Sequence, residues 1–258
     1  MAEHIAEEQS INTTGSGSVH RLVVIRHSER VDEREDLMDE WNAMKSAHHK
    51  AVKKEGLPKC ERDQQEYFFL HDCPITERGV QIAAGAAEVL LRQFPVGSIT
   101  KIYASKCLRT VQTAYELAKR YRVPIYLSKG FSLTALYIGR CESDKSKFPR
   151  GFQFKSMDYL KRLCQDVDLI DCDADPDSED YIPSADWKAP LVHVTAKDPF
   201  AIVVAHRETI KSLRNDRKRP PYCGYGIFDT NVSGDPSALC IGGCSTTAFD
   251  ESGAALSG

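Results

Sequence analysis

The sequence predicts a three-layer α/β fold: a mainly parallel sheet with helices on both faces and an inserted cap region. Three observations carry this reading. Leu22-Val23-Val24-Ile25 is a short, β-branched apolar run of the kind that forms a buried strand, and it leads directly into Arg26-His27-Ser28-Glu29-Arg30. Far along the chain Ile202-Val203-Val204-Ala205 repeats the pattern and runs into His206. Between them Ile99 to Ala104 reads as a strand, and Leu108, Val111, Tyr115 and Ala118 follow at helical spacing. Strands alternating with helices pair in parallel.

The elements follow in order. Residues 1–18, rich in Glu, Ser, Gly and Thr, read as a disordered tail, and residues 19–250 as one domain. An insertion over 35–70 contains Leu37, Trp41, Met44, His48 and Ala51 on one helical stripe. Trp41 and Met44 on that stripe make packing a better account of His48 and His49 than a metal. Thr76 caps a helix marked by Val80, Ala84, Ala87, Leu91 and Phe94, which Pro95 stops. Ser105 is the expected cap of the helix after the 99–104 strand, and Pro124-Ile125-Tyr126-Leu127 is a further short strand. Residues 129–190 are too long and polar for a simple crossover and are expected to form a partly helical cap. A basic helix begins after His206, Leu239 to Phe249 gives a small-residue strand, and residues 251–258 form a loose tail.

Composition bounds the function classes. With 258 residues and 41% hydrophobic content the chain can bury one sizeable core. No run approaches the roughly 20 apolar residues needed to span a bilayer, and residues 1–20 lack the apolar core of a secretory signal. The expectation is a cytoplasmic protein. Nine cysteines, an odd number without repeated C-x-x-C spacing, read as free thiols in a reducing compartment. Cys240 and Cys244 alone are weak grounds for zinc. A net charge of −3 argues against nucleic acid as a partner, although Arg207, Lys211, Arg214, Arg217, Lys218 and Arg219 make a local basic run. That run reads as a solvated helix face, or as a rim attracting anions. The acidic residues from Asp166 to Asp180 lack the Gly and closing Glu of an EF-type calcium loop and read as a mobile, solvated loop.

The chemistry concentrates at the strand ends. Parallel strands open their carboxyl ends onto a common crevice, so His27 and His206 are expected to converge there. An imidazole nucleophile flanked by guanidiniums suits phosphoryl transfer: one ring attacks while cations hold the equatorial oxygens. Arg109, in the first turn of its helix, adds a forked donor to a helix N-terminus that already favours anions.

Four blocks then occur in order: Arg26-His27-Ser28-Glu29-Arg30, Asp72-Cys73-Pro74-Ile75-Thr76-Glu77-Arg78-Gly79, Tyr103 to Ala114, and Val203-Val204-Ala205-His206. On these the chain resembles the histidine phosphatase (phosphoglycerate mutase-like) superfamily, branch 1, and most closely its Sts/TULA-type phosphatase domain. The resemblance implies phosphomonoester hydrolysis through a phosphohistidine at His27, on phosphotyrosine or small aryl phosphates. Arg26, Arg30 and Arg109 would bind the phosphoryl group, and His206 would be the second catalytic histidine. Two departures stand out. Ser28 replaces the usual glycine of the first motif, and Ser132 occupies the position of the expected general-acid glutamate. Either another carboxylate, Glu142 or Asp158, reaches the leaving oxygen, or the protein is a catalytically weak phosphate-binding or scaffolding pseudophosphatase. No metal or organic cofactor is implied, because the arginines supply the charge. The expected partner is a phosphate-containing small molecule or phosphoprotein, with no nucleic acid or membrane, and a homodimer is compatible with the chain.

Overall fold

The computed structural model describes residues 19–34, 72–132, 154–182, 188–214, 220–231, 239–240, 248–249 and 255–256. The stripe from Leu37 to Ala51, the N-terminal tail 1–18, Glu142 and the basic residues 217–219 lie outside these; of the C-terminal tail expected to be loose, Ala255–Leu256 forms a strand and the rest lies outside them.

A seven-stranded sheet forms the centre, in the order β4-β3-β2-β5-β1-β6-β7. Its strands are β1 (Val19–Arg26), β2 (Ile102–Ser105), β3 (Ile125–Ser128), β4 (Leu169–Asp171), β5 (Phe200–Ala205), β6 (Tyr225–Asn231) and β7 (Leu239–Cys240). From β4 to β1 all neighbours are parallel, whereas β6 pairs antiparallel with β1, and β7 with β6. A separate two-stranded sheet joins β8 (Ala248–Phe249) to β9 (Ala255–Leu256). The 239–249 strand expected from sequence is thus two short strands in different sheets.

The helices are α1 (Glu77–Gln93), α2 (Leu108–Tyr121), α3 (Met157–Leu163), α4 (Ala189–Lys197) and α5 (Arg207–Arg214). Because side chains alternate across a strand, β1 and β5 feed two cores. Val23, Ile25, Ile202 and Val204 pack with Leu90, Leu108, Val111 and Leu160 from α1, α2 and α3. Leu22, Val24, Val203 and Ala205 pack with Leu191, Val194, Ile210 and Leu213 from α4 and α5. This two-sided burial is why both strands read as continuous apolar runs. It is also the three-layer arrangement the sequence predicts.

Local chemistry fixes the element starts. Thr76 caps α1 by accepting the Gly79 N–H at 2.8 Å. The buried face of α1 is Ile82, Ala83, Ala86, Ala87 and Leu90, with Val80, Ala84 and Leu91 only half-buried, so the helix is rotated about one position from the predicted stripe. Ser105 is not the cap of α2. That helix begins at Leu108 with Cys107 at the cap position, and the Ser105 hydroxyl turns instead towards His206.

The expected cap over 129–190 lies partly outside the described residues; what is described gives α3, whose Tyr159 and Leu160 pack into the core, and β4, which extends the sheet edge beside β3. The acidic stretch is anchored here: Asp171 and Asp173 hold the buried Lys106 ammonium at 2.5 and 2.9 Å. Among the described residues no helix is long and apolar enough to cross a membrane.

Candidate active site

Strand register places the two histidines side by side. Arg26 at the end of β1 lies opposite Ala205 at the end of β5, so His27 and His206 leave the sheet as neighbours. The His27 N–H donates to the Ala205 carbonyl at 3.0 Å, and the rings meet edge to face with centroids 5.6 Å apart. Both side chains are buried.

Hydrogen bonding sets their tautomers. His27 Nδ1 lies 2.8 Å from the Ser28 carbonyl, which can only accept, so Nδ1 carries the proton and Nε2 keeps its lone pair. For His206 the order is reversed. Arg109 donates to Nδ1 at 3.4 Å, which leaves Nε2–H to donate to Ser105 Oγ at 3.2 Å. The Cys107 N–H also donates to Ser105 Oγ, at 3.2 Å. With both acceptor positions filled, the Ser105 proton goes to Ser132 Oγ, 2.5 Å away. The Ser132 hydroxyl in turn hydrogen-bonds the Cys107 thiol.

Burial is the main reason both imidazoles have pKa values well below the ordinary histidine value. The nearby guanidiniums add to it, Arg109 and Arg26 for both rings and Arg30 for His206. Both rings are neutral at pH 7, which is the form in which a nitrogen can act as a nucleophile.

The three predicted arginines are brought to these rings, each with a partner. Arg26 is buried, donates to the Pro220 carbonyl at 2.8 Å and to Glu33 at 3.3 Å, and lies over the Tyr222 ring at 4.2 Å. Arg30 grips Asp32 through Nε and a terminal nitrogen, with Glu33 at 3.7 Å. Arg109 faces His206, has Asp72 Oδ1 at 3.8 Å, and its Nε has no hydrogen-bond partner. Asp32 and Glu33 come from a single 3-10 turn, Val31–Glu33. Asp32 is held below the usual carboxylate range despite burial, because Arg30 hydrogen-bonds it.

The two departures find distinct explanations. Ser28 faces away from the rings: its hydroxyl donates to the Gly79 carbonyl at 2.6 Å and its N–H to Thr113 at 2.9 Å, so here the serine side chain ties β1 to α1. Ser132 does reach the site, through Ser105. Of the two alternative acids, Asp158 is exposed in the first turn of α3, and Glu142 lies outside the described residues.

Sequence reasoning gave no role to Ser105 beyond capping, to Asp72, or to the carboxylates Asp32 and Glu33. The signal for Asp72 was its place just before the Pro74-Ile75-Thr76 block. Only the fold reveals that its carboxylate reaches Leu108.

Comparisons with known proteins bear on the fold and on one stretch of the chain. Residues 59–142 match the family model described as histidine phosphatase superfamily (branch 1). That span contains the Asp72–Gly79 block and Arg109; His27 and His206 lie outside it and are joined to it by the sheet. No curated protein matches. Among solved structures, the ecdysone phosphate phosphatase from Bombix mori in complex with tungstate is similar at 21% identity and a TM-score of 0.57, covering 90% of this chain and 98% of that one. A mycobacterial glucosyl-3-phosphoglycerate phosphatase in complex with VO3 aligns at 14% identity and a TM-score of 0.42, covering 81% and 92%. This chain therefore has the α/β fold of a solved phosphatase and, over residues 59–142, matches the histidine phosphatase superfamily (branch 1).

Proposed function

We propose that the protein is a phosphomonoester hydrolase of the Sts/TULA type, working through a phosphohistidine at His27. The observation that carries this reading is the tautomer of His27. Its proton is tied to the Ser28 carbonyl, its Nε2 lone pair is kept, and guanidiniums surround it. The Nε2 lone pair forms the bond to phosphorus as the ester P–O bond breaks, and the leaving oxygen takes up a proton. Water then cleaves the phosphohistidine, releasing inorganic phosphate. Arg26, Arg30 and Arg109 stabilise the equatorial oxygens, and His206 lines the same pocket.

Ser132 narrows the substrate class. A hydroxyl of high pKa is a poor proton donor at neutral pH, so esters whose leaving group departs as a stable anion are favoured. Phosphotyrosine and small aryl phosphates fit that requirement better than alkyl phosphates. We place the protein in the cytoplasm.

The rival reading, a phosphate-binding scaffold without turnover, is favoured by the same serine and by the carboxylates engaging Arg26 and Arg30. Steady-state hydrolysis of nitrophenyl phosphate separates the two. The hydrolase reading predicts turnover that vanadate inhibits. Protection of the fold by vanadate with no hydrolysis above a His27→Ala control would establish the scaffold instead.

A further inference from the structure

Helix α2 presents Arg109 to the site, yet it starts without a cap of its own. Cys107, at the cap position, accepts no capping hydrogen bond with its side chain. The acceptor comes from elsewhere in the chain: Asp72 Oδ1 takes the Leu108 N–H at 2.6 Å. The same oxygen lies 3.8 Å from an Arg109 terminal nitrogen. Asp72 is fully buried, and its second oxygen, Oδ2, has no hydrogen-bond partner. A buried carboxylate with one unsatisfied oxygen is costly as an anion.

We propose that Asp72 is a positioning residue for the phosphate site, capping α2 from outside the helix and restraining Arg109, and that an anion binding to Arg109 makes it take up a proton. This rests on the reading of Arg109 as a phosphate ligand. The physics is like-charge repulsion. An incoming dianion shares the Arg109 guanidinium with the Asp72 carboxylate, which raises the carboxyl pKa. Protonation falls on the orphaned Oδ2, while Oδ1 keeps the Leu108 hydrogen bond and hence the helix start.

The groups facing Asp72 are consistent with this. Arg109 from α2, Lys155 ahead of α3 and Arg30 after β1 all favour its ionised form, and the Cys107 thiol lies nearby. Burial outweighs them and pushes the free carboxyl up to about 6. Two further carboxylates sit at the arginines: Asp32, which is held ionised in the free protein because Arg30 hydrogen-bonds it, and Glu33, which lies 3.3 Å from Arg26 and 3.7 Å from Arg30.

Sulfate, a dianion across the whole range, is the probe that tests this. In the wild type its affinity should rise several-fold as pH falls from about 7.5 to about 6, at most about tenfold per unit for one linked proton, and then level off. Asp72→Asn keeps an oxygen acceptor for the Leu108 N–H but carries no titrating proton, so it should retain the wild-type Tm and lose this component. Asp72→Ala, without the cap, should melt lower. Equal pH dependence in wild type and Asp72→Asn would overturn the proposal. Infrared difference spectra of the wild type alone provide a second reading, because histidines contribute no carboxylic-acid C=O band. Such a band should appear on sulfate binding near pH 6.5, and its absence would overturn the proposal whether or not the variants fold. Failure of the wild type to bind sulfate at all would instead remove the arginine cradle, and this inference with it. Loss of turnover alone would leave both standing, because no arm of the test reads hydrolysis.

Discussion

Ser132 and Arg109 are the side chains at which this account is most exposed to test. With hydroxyl chemistry at Ser132, hydrolysis should fall steeply as leaving-group pKa rises. Ser132→Glu should restore alkyl phosphate hydrolysis by part of the roughly 10²–10⁴-fold that a general acid contributes, and leave nitrophenyl phosphate nearly unchanged. Wild-type rates that are flat across leaving groups would show that a carboxylate such as Glu142 or Asp158 already supplies the proton. At Arg109 the forked guanidinium donates to His206 and faces the anion site, so Arg109→Lys keeps charge but loses the fork. Vanadate should then raise the Tm by less in Arg109→Lys than in the wild type, and an equal shift would place the anion elsewhere. His27, His206 and the three arginines were legible because each follows directly from a strand end or helix start. Ser105 and Asp72 were not, since their roles depend on hydrogen bonds to residues far away in sequence.

Between elements, the joint of β1 to α1 and the clamp on Lys106 hold the strand ends in place. A Cβ at Gly79 would lie 2.6 Å from the Glu29 backbone oxygen and 3.1 Å from Ile75 Cβ, so the helix start approaches the Ser28-Glu29 segment as closely as a backbone can. Gly79→Ala should cost about 1–3 kcal/mol, as overpacking does, and move His27 enough to reduce turnover. Urea titration with parallel assays checks both, and a fully stable, fully active variant would show that the contact can relax. Lys106 follows Ser105 directly, and its ammonium is buried between Asp171 and Asp173. Lys106→Met strands two carboxylates, for which roughly 3 kcal/mol is expected, the lower end for a broken buried pair because both acids are partly wet. The elements most legible in sequence were β1, β5, α1 and α2, whose apolar periodicity is strong. β6 was missed because Tyr225-Gly226-Ile227-Phe228-Asp229-Thr230 mixes polar residues and glycine near a sheet edge, and β4 because its three residues sit inside an acidic stretch.

Across the whole molecule, burying two neutral histidines ties stability to pH. A histidine whose folded pKa is depressed binds fewer protons folded than unfolded, so its contribution is present above the unfolded value of 6.5 and is lost as pH falls below it. Asp72, raised from 3.8 to about 6, works in the opposite sense, favouring the fold as pH falls through about 6. Two histidines against one carboxylate predict a net fall in Tm between about pH 7 and about pH 5, and a shallower one in His206→Gln; an unchanged slope in that variant would mean that His206 is not buried neutral. The parallel centre of the sheet, which sets His27 beside His206, was legible in the sequence as two apolar runs ending in histidine. The order of its strands was not, because register and neighbour choice depend on packing across the whole chain. All of this converges on His27 as the atom-level centre of the chemistry. The most direct test is to quench the protein during turnover of a labelled aryl phosphate and map the label. The account predicts acid-labile, base-stable phosphate on His27, absent in His27→Ala together with hydrolysis; an active wild type with no such label, or a His27→Ala variant that retains full activity, would contradict it.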